Sequence, residues 1–171
     1  MNFVHIADMH FDAPFSSLNS VENLGDVRRL EQRKIFKKAI DFIKENEIEY
    51  FFISGDLYEH NYVRLSTIEY IAPGNHDPYI KDSYYQNFEF ADNVYIFKDG
   101  IEKIETEDCN IYGMGFNSFS MSNSDISNFI LPISSKLDIF VVHCDVNGSK
   151  DKEGFEYNPI TESKLKSLNF D

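Results

Sequence analysis

The stretch Phe3-Val4-His5-Ile6-Ala7-Asp8-Met9-His10 opens with a weakly alternating apolar run and stops at a carboxylate and an imidazole. A second stretch, Tyr50-Phe51-Phe52-Ile53-Ser54-Gly55-Asp56, repeats the arrangement with a continuous apolar run, as expected of an interior parallel strand. Between them, from about Asp26 to Asn46, Val27, Leu30, Ile35, Ala39, Ile40 and Ile43 recur at helical spacing. Strand, helix, strand is a βαβ unit with a right-handed crossover, and it places both polar ends on one side of a parallel sheet. A third apolar run, Leu137-Asp138-Ile139-Phe140-Val141-Val142, reads as a buried strand that delivers His143, and the turn-forming Gly74-Asn75-His76-Asp77 lies between.

Ligands of open α/β sheets gather beyond the carboxyl ends of the strands. Asp8, Asp56 and His143 fall there, with Asn75 and His76 in a loop able to reach them. Asp8 and His10 are two residues apart, so extended backbone would point both the same way. Carboxylate and amide oxygens with imidazole nitrogens suit Mn²⁺, Fe²⁺ or Zn²⁺ better than Ca²⁺. Two such ions about 3.5–4 Å apart clamp a phosphate, lower the pKa of a bound water and steady the leaving oxygen. Asp56 is the best candidate to bridge them: it has two oxygens, and Gly55 permits close backbone approach. The chemistry indicated is metal-assisted hydrolysis of a phosphate ester.

The remaining chain supports one α/β domain. Asn93 to Phe97 reads as a strand; Ile101 to Thr106 and Cys109 to Met114 flank Glu107-Asp108 as a hairpin. Asn117 to Asn128 is a polar surface loop leading to a short helix, and Thr161 caps a helix running to Leu168. Only Leu57 to Pro73 separates Asp56 from Gly74, whereas a parallel crossover alone takes roughly a dozen residues. Val63 to Ile71 can supply the helix or the strand, hardly both.

With 171 residues, 42% hydrophobic and 15% aromatic, the chain can bury a core without staples and is not a disordered segment. Two cysteines, Cys109 and Cys144, give no disulfide framework, and the N-terminus has no leader-like pattern. A soluble cytoplasmic protein is the expectation. The net charge of −13 runs against the basic footprint of nucleic-acid binders. Arg28, Arg29, Arg33, Lys34, Lys37 and Lys38 share one helix; they form either a basic stripe or, the commoner case, its solvated face.

Asp8-Met9-His10, Gly55-Asp56 and Gly74-Asn75-His76-Asp77 resemble the first three motifs of the calcineurin-like metallophosphoesterase superfamily. The longer string from His5 to Phe15 is similar to the opening of the bacterial DNA-repair exonuclease branch, the SbcD-like and YhaO-like proteins. The resemblance implies a two-sheet sandwich flanked by helices. It also implies that Asp8 and His10 bind one ion, Asp56 bridges, and Asn75 and His143 bind the second. His76 would be the non-ligand histidine that protonates the leaving oxygen, with Asp77 orienting it. By the same resemblance the enzyme is a Mn²⁺-dependent DNA exonuclease or endonuclease, partnered by an SMC-like ATPase and dimeric.

Two departures accompany it. The superfamily closes its site with a later Gly-His-x-His motif, and this chain reaches Asn169-Phe170-Asp171 without one, so the 1–171 domain reads as truncated before that motif. The short Leu57–Pro73 interval is the other. They keep two alternatives open: a phosphatase or small-molecule phosphodiesterase of the same superfamily, and a non-catalytic remnant that binds DNA or a partner. His5 is read as packing under the site or capping a hydrogen-bond network, and His60 as loop surface or a substrate neighbour. Cys144 reads as packing, and the aromatic residues as core rather than a base-stacking platform.

Overall fold

The computed structural model describes residues 1–18, 24–58, 73–87, 89–90, 92–122 and 125–170. The compressed 57–73 crossover, with Val63 to Ile71 and His60, lies almost entirely outside them. Strand β1 (Phe3–Ile6) pairs in parallel with β2 (Tyr50–Ile53), from Phe3 opposite Tyr50 to Ile6 opposite Ile53. Helix α1 (Leu24–Glu45) connects them, completing the βαβ unit. At its end Glu47 turns left-handed (φ 50°) and the Ile48 amide donates to the Ile43 carbonyl at 3.0 Å, which closes the last turn and aims the chain into β2.

The apolar periodicity of α1 is only partly a core face. Ala39, Ile40 and Ile43 are half-buried, but Val27, Leu30 and Ile35 are exposed. Phe36, outside that apolar stripe, packs under the β1 and β2 loops against Phe11 and Phe51 instead. The helix is rotated so that its polar residues near the amino end also face inward, with consequences described below.

After a short helix α2 (Tyr84–Asn87), β3 (Glu102–Glu105) and β4 (Cys109–Met114) form the expected antiparallel hairpin. Strand β5 (Leu137–Val142) adds in parallel to β4, which is buried along its whole length as the central strand of this second sheet. Short strands β6 (Asp145–Val146) and β7 (Pro159–Ile160) pair in parallel, and α3 (Glu162–Ser167) follows. The Thr161 side chain accepts from the Lys164 amide, the expected N-cap.

One expected strand does not form. The segment 93–97 has no ladder; it lays the buried Phe97 ring over Gly113, where any side chain would collide with that ring. Packing against a glycine surface thus replaces edge-on pairing.

The core has three parts. One lies under the β1 and β2 loops (Phe11, Ile53, Leu57, Tyr58, Tyr85), one between the sheets (Phe52, Phe97, Cys109, Ile111, Val141), and one beneath α3 (Met114, Ile126, Ile160, Leu168). Cys144 packs at the edge of the third. This mixed α/β architecture of sheets flanked by helices is the fold class the motifs indicate. Among the described residues, no helix is long and apolar enough to cross a membrane.

Candidate metal centre

Beyond β1 and β2 the two loops run on as a backbone zipper. Ser54 N donates to Ile6 O (3.0 Å), Asp8 N to Gly55 O (3.2 Å), His10 N to Asp56 O (2.8 Å) and Phe11 N to Leu57 O (2.8 Å). Within this zipper Asp8, His10, Asp12 and Asp56 all take left-handed backbone, at φ 54°, 45°, 66° and 51°. Such conformations are costly for residues with a Cβ and cluster where function fixes the geometry. They also correct the expectation that Asp8 and His10 point the same way from extended backbone. Each left-handed residue reverses the local direction, and the two side chains join different groups.

Asp56, only 3% exposed, is common to both groups. Asp8, Asp56 and His143 bring their ligand atoms within 4.8 Å of one another, and so do His10, Asp56 and His76. Asp56 Oδ2 lies 3.4 Å from His143 Nε2 and 3.7 Å from His10 Nε2. Asp56 Oδ1 accepts from the His76 amide at 3.0 Å, tying the third motif to the second. Asn75 Oδ1 is 3.0 Å from His143 Nε2. Donors bound about 2.1 Å from one small cation at right angles sit about 3 Å apart, so these spacings suit shared coordination. The His10 and His76 rings meet edge to face at 4.8 Å. An oxygen and nitrogen donor set, with no thiol in either group, fits divalent ions of the Mn²⁺, Fe²⁺ and Zn²⁺ kind. Asp56, expected to bridge two ions, is the residue that the two groups have in common.

Two glycines make room for this convergence. A Cβ on Gly55, itself left-handed, would stand 2.5 Å from His143 Cβ. A Cβ on Gly74 would stand 2.5 Å from the Asp56 amide nitrogen and closer still to its Oδ1. His143 is held from behind by Asn158, whose Nδ2 donates to the His143 carbonyl at 2.8 Å, and by the Phe116 ring edge.

Among the described residues, the hydrogen bonds of Asp77 go to groups other than the His76 ring. Asp77 is buried, and its oxygens accept from Gly74 N (2.6 Å), Tyr58 N (3.1 Å) and the Tyr85 hydroxyl (2.7 Å). It therefore fixes the 74–77 turn to the end of the second motif and orients His76 only through that turn. Burial lifts the Asp77 carboxyl to about 7, against the opposing pull of the Tyr85 and Gly74 hydrogen bonds. Burial and the adjacent Asp77 push the Tyr85 phenol well above its usual range.

His5 is exposed and lies 2.9 Å from the Ser54 hydroxyl, at the wall of a cavity of about 410 Å³ that also touches Asp8 and His143. Among the described residues, four of the seven α1 cations pair with acids: Arg28 with Glu31, Arg29 with Asp26, Arg33 with Asp12 and Lys37 with Asp41. Arg28 and Lys37 belong to a solvated face, whereas Arg29 and Arg33 turn inward. Sequence reasoning passed over Tyr85, Asn158, Gln32 and Arg33 as supports, because no spacing marks a residue whose partner lies elsewhere in the chain.

A buried carboxylate shared between two histidine-containing groups, at the ends of parallel strands, suits metal-dependent hydrolysis, of which phosphate esters are one substrate class. Residues 1–165 match the family model described as calcineurin-like phosphoesterase, and the chain belongs to that family, whose members use a dinuclear divalent metal centre. It is similar to a Bacillus subtilis protein named an uncharacterized metallophosphoesterase, YhaO, at 20% identity over 188 residues. That match takes in 96% of this chain but 45% of the relative, so the chain spans less than half of that protein's length.

Proposed function

We propose that this metallophosphoesterase cleaves phosphodiester bonds in DNA, as a repair-type exonuclease or endonuclease using two divalent ions, preferably Mn²⁺. The observation that carries the two-ion reading is the sharing of Asp56 between the two side-chain groups. In this reading Asp8, Asn75 and His143 serve one ion, His10 the other, and Asp56 both. Such a pair of ions supplies Lewis acidity and a nucleophilic water at neutral pH. His76, beside His10 and anchored through its amide to Asp56, donates a proton to the leaving oxygen. The DNA substrate, the SMC-like ATPase partner and the homodimer are supported by the His5–Phe15 string and its likeness to repair exonucleases, and the cytoplasmic setting by the free cysteines Cys109 and Cys144.

A second reading, a phosphatase or small-molecule phosphodiesterase, is favoured by the charge of −13 and by the pairing of the α1 cations with acids. Assays with Mn²⁺ on linear duplex DNA, a phosphodiester chromogen and a phosphomonoester separate the two, with Asp56→Asn and His76→Ala as controls. DNA cleavage lost in both variants supports the nuclease. Turnover of the monoester alone overturns it.

A further inference from the structure

Residues 8 to 12 are strained at every second position, with Asp8, His10 and Asp12 all left-handed, and two of these carry the side chains that would meet the ions. A loop of this kind holds its shape only when its surroundings over-determine it. One side is held by the zipper to residues 55–57. The other side rests on the first turns of α1. Gln32 Nε2 donates to the Met9 carbonyl at 2.8 Å, between Asp8 and His10. The Arg33 guanidinium pairs with the Asp12 carboxylate, whose side chain is almost wholly buried. Arg29 Nη1 reaches the Ala13 carbonyl at 3.3 Å.

We propose that Gln32 and Arg33 are positioning residues of the metal centre: they lock the 8–12 loop from behind, so that Asp8 and His10 face their separate groups. The inference rests on the metal-site reading above. Neither side chain touches an ion or substrate; each acts through the backbone or through Asp12. The carbonyl that Gln32 holds belongs to the peptide joining Met9 to His10, so a rotation there turns His10 relative to Asp8. Arg33 answers the charge of Asp12 and presents a planar fork that lysine lacks.

The test uses Gln32→Met, which keeps length but loses the amide donor. It also uses the pair Arg33→Met with Asp12→Asn, which avoids leaving a buried charge without a partner. Mn²⁺ binding is measured by calorimetry, and amide hydrogen exchange is followed in chelator with no ion bound. The expected result is at least a tenfold loss of Mn²⁺ affinity in each variant. Exchange at His10 and Phe11 should quicken at least tenfold while Val4 and Phe51 keep their wild-type rates. Arg33→Lys should recover part of the affinity. If the variants bind and exchange as wild type while Asp56→Asn abolishes binding, the positioning role is wrong and the metal site stands. If exchange quickens across both strands and α1, the contacts serve folding alone and the proposal fails. Should wild type bind no Mn²⁺, both readings fall together.

Discussion

Gly74→Ala is the sharpest single probe of the metal centre, because the backbone at Gly74 is not left-handed and alanine carries no conformational penalty of its own. The added methyl would meet Asp56 at both its amide nitrogen, 2.5 Å away, and its Oδ1. Ordinary contact requires a displacement of roughly 1 Å, and misplacement on that scale can cost about a hundredfold in catalysis. The overpacking itself costs about 1–3 kcal/mol. The effect on ion binding can be read apart from that cost. At a Mn²⁺ concentration of about 100 times Kd, a wild-type site contributes roughly 2.7 kcal/mol of extra stability. For a domain of this size that is a rise in Tm of about 5–10 °C. If the displaced Asp56 weakens binding about a hundredfold, the same concentration adds only roughly 0.4 kcal/mol, about 1 °C. The assay is a thermal melt with and without Mn²⁺, alongside turnover. A Gly74→Ala protein that gains the full wild-type increment and retains its rate would refute the claim that Asp56 is the shared ligand.

Other expectations follow from individual contacts. Tyr85→Phe removes one of three donors from the buried Asp77 and should cost about 1–3 kcal/mol in denaturant titration. Thr161→Ala, which removes the cap of α3, should cost about 1 kcal/mol in the same measurement, without altering Mn²⁺ binding. With Asp77 lifted in the folded protein from the usual 3.8 to about 7, its contribution to the stability of ion-free protein is full below about pH 4 and is lost as pH rises through 7, by roughly 4 kcal/mol. Asp77→Asn should flatten that slope, as measured by chemical denaturation between pH 4 and 7.5 in chelator.

Much of this was legible because strand ends are marked in sequence. The apolar runs ending at Asp8 and Asp56 did become parallel neighbours, the run ending at His143 lies parallel to β4 in the second sheet, and Gly55, read as permitting close approach, has the His143 side chain against it. The hairpin and the Thr161 cap were equally readable, since each depends on residues near in sequence. What escaped depends on partners far away. Left-handed backbone at Asp8 and His10, which Asp and His tolerate better than most residues, accompanies pairing with residues 55–57 that no local spacing announces. Asp77 looked like the partner of the adjacent imidazole, but Tyr58 and Tyr85 claim its oxygens. Arg33 looked like one charge in a helix stripe because Asp12, its partner, is 21 residues upstream in a turn.

The same observations alter how the acidic charge bears on substrate. Arg29 and Arg33 are spent on the turn that carries Asp8 and His10, so they offer no electrostatic footprint for a polyanion. Divalent ions held at Asp56 would supply positive charge where the phosphate must sit, offsetting carboxylates that otherwise repel it. Recognition built this way is local to one phosphate rather than spread along a strand. A polymer substrate would then need contacts beyond the helix cations described here, while a small ester would need none. The positioning of α1 against the loop is thus tied to the choice between the two substrates: cations that build the site are unavailable to read the substrate.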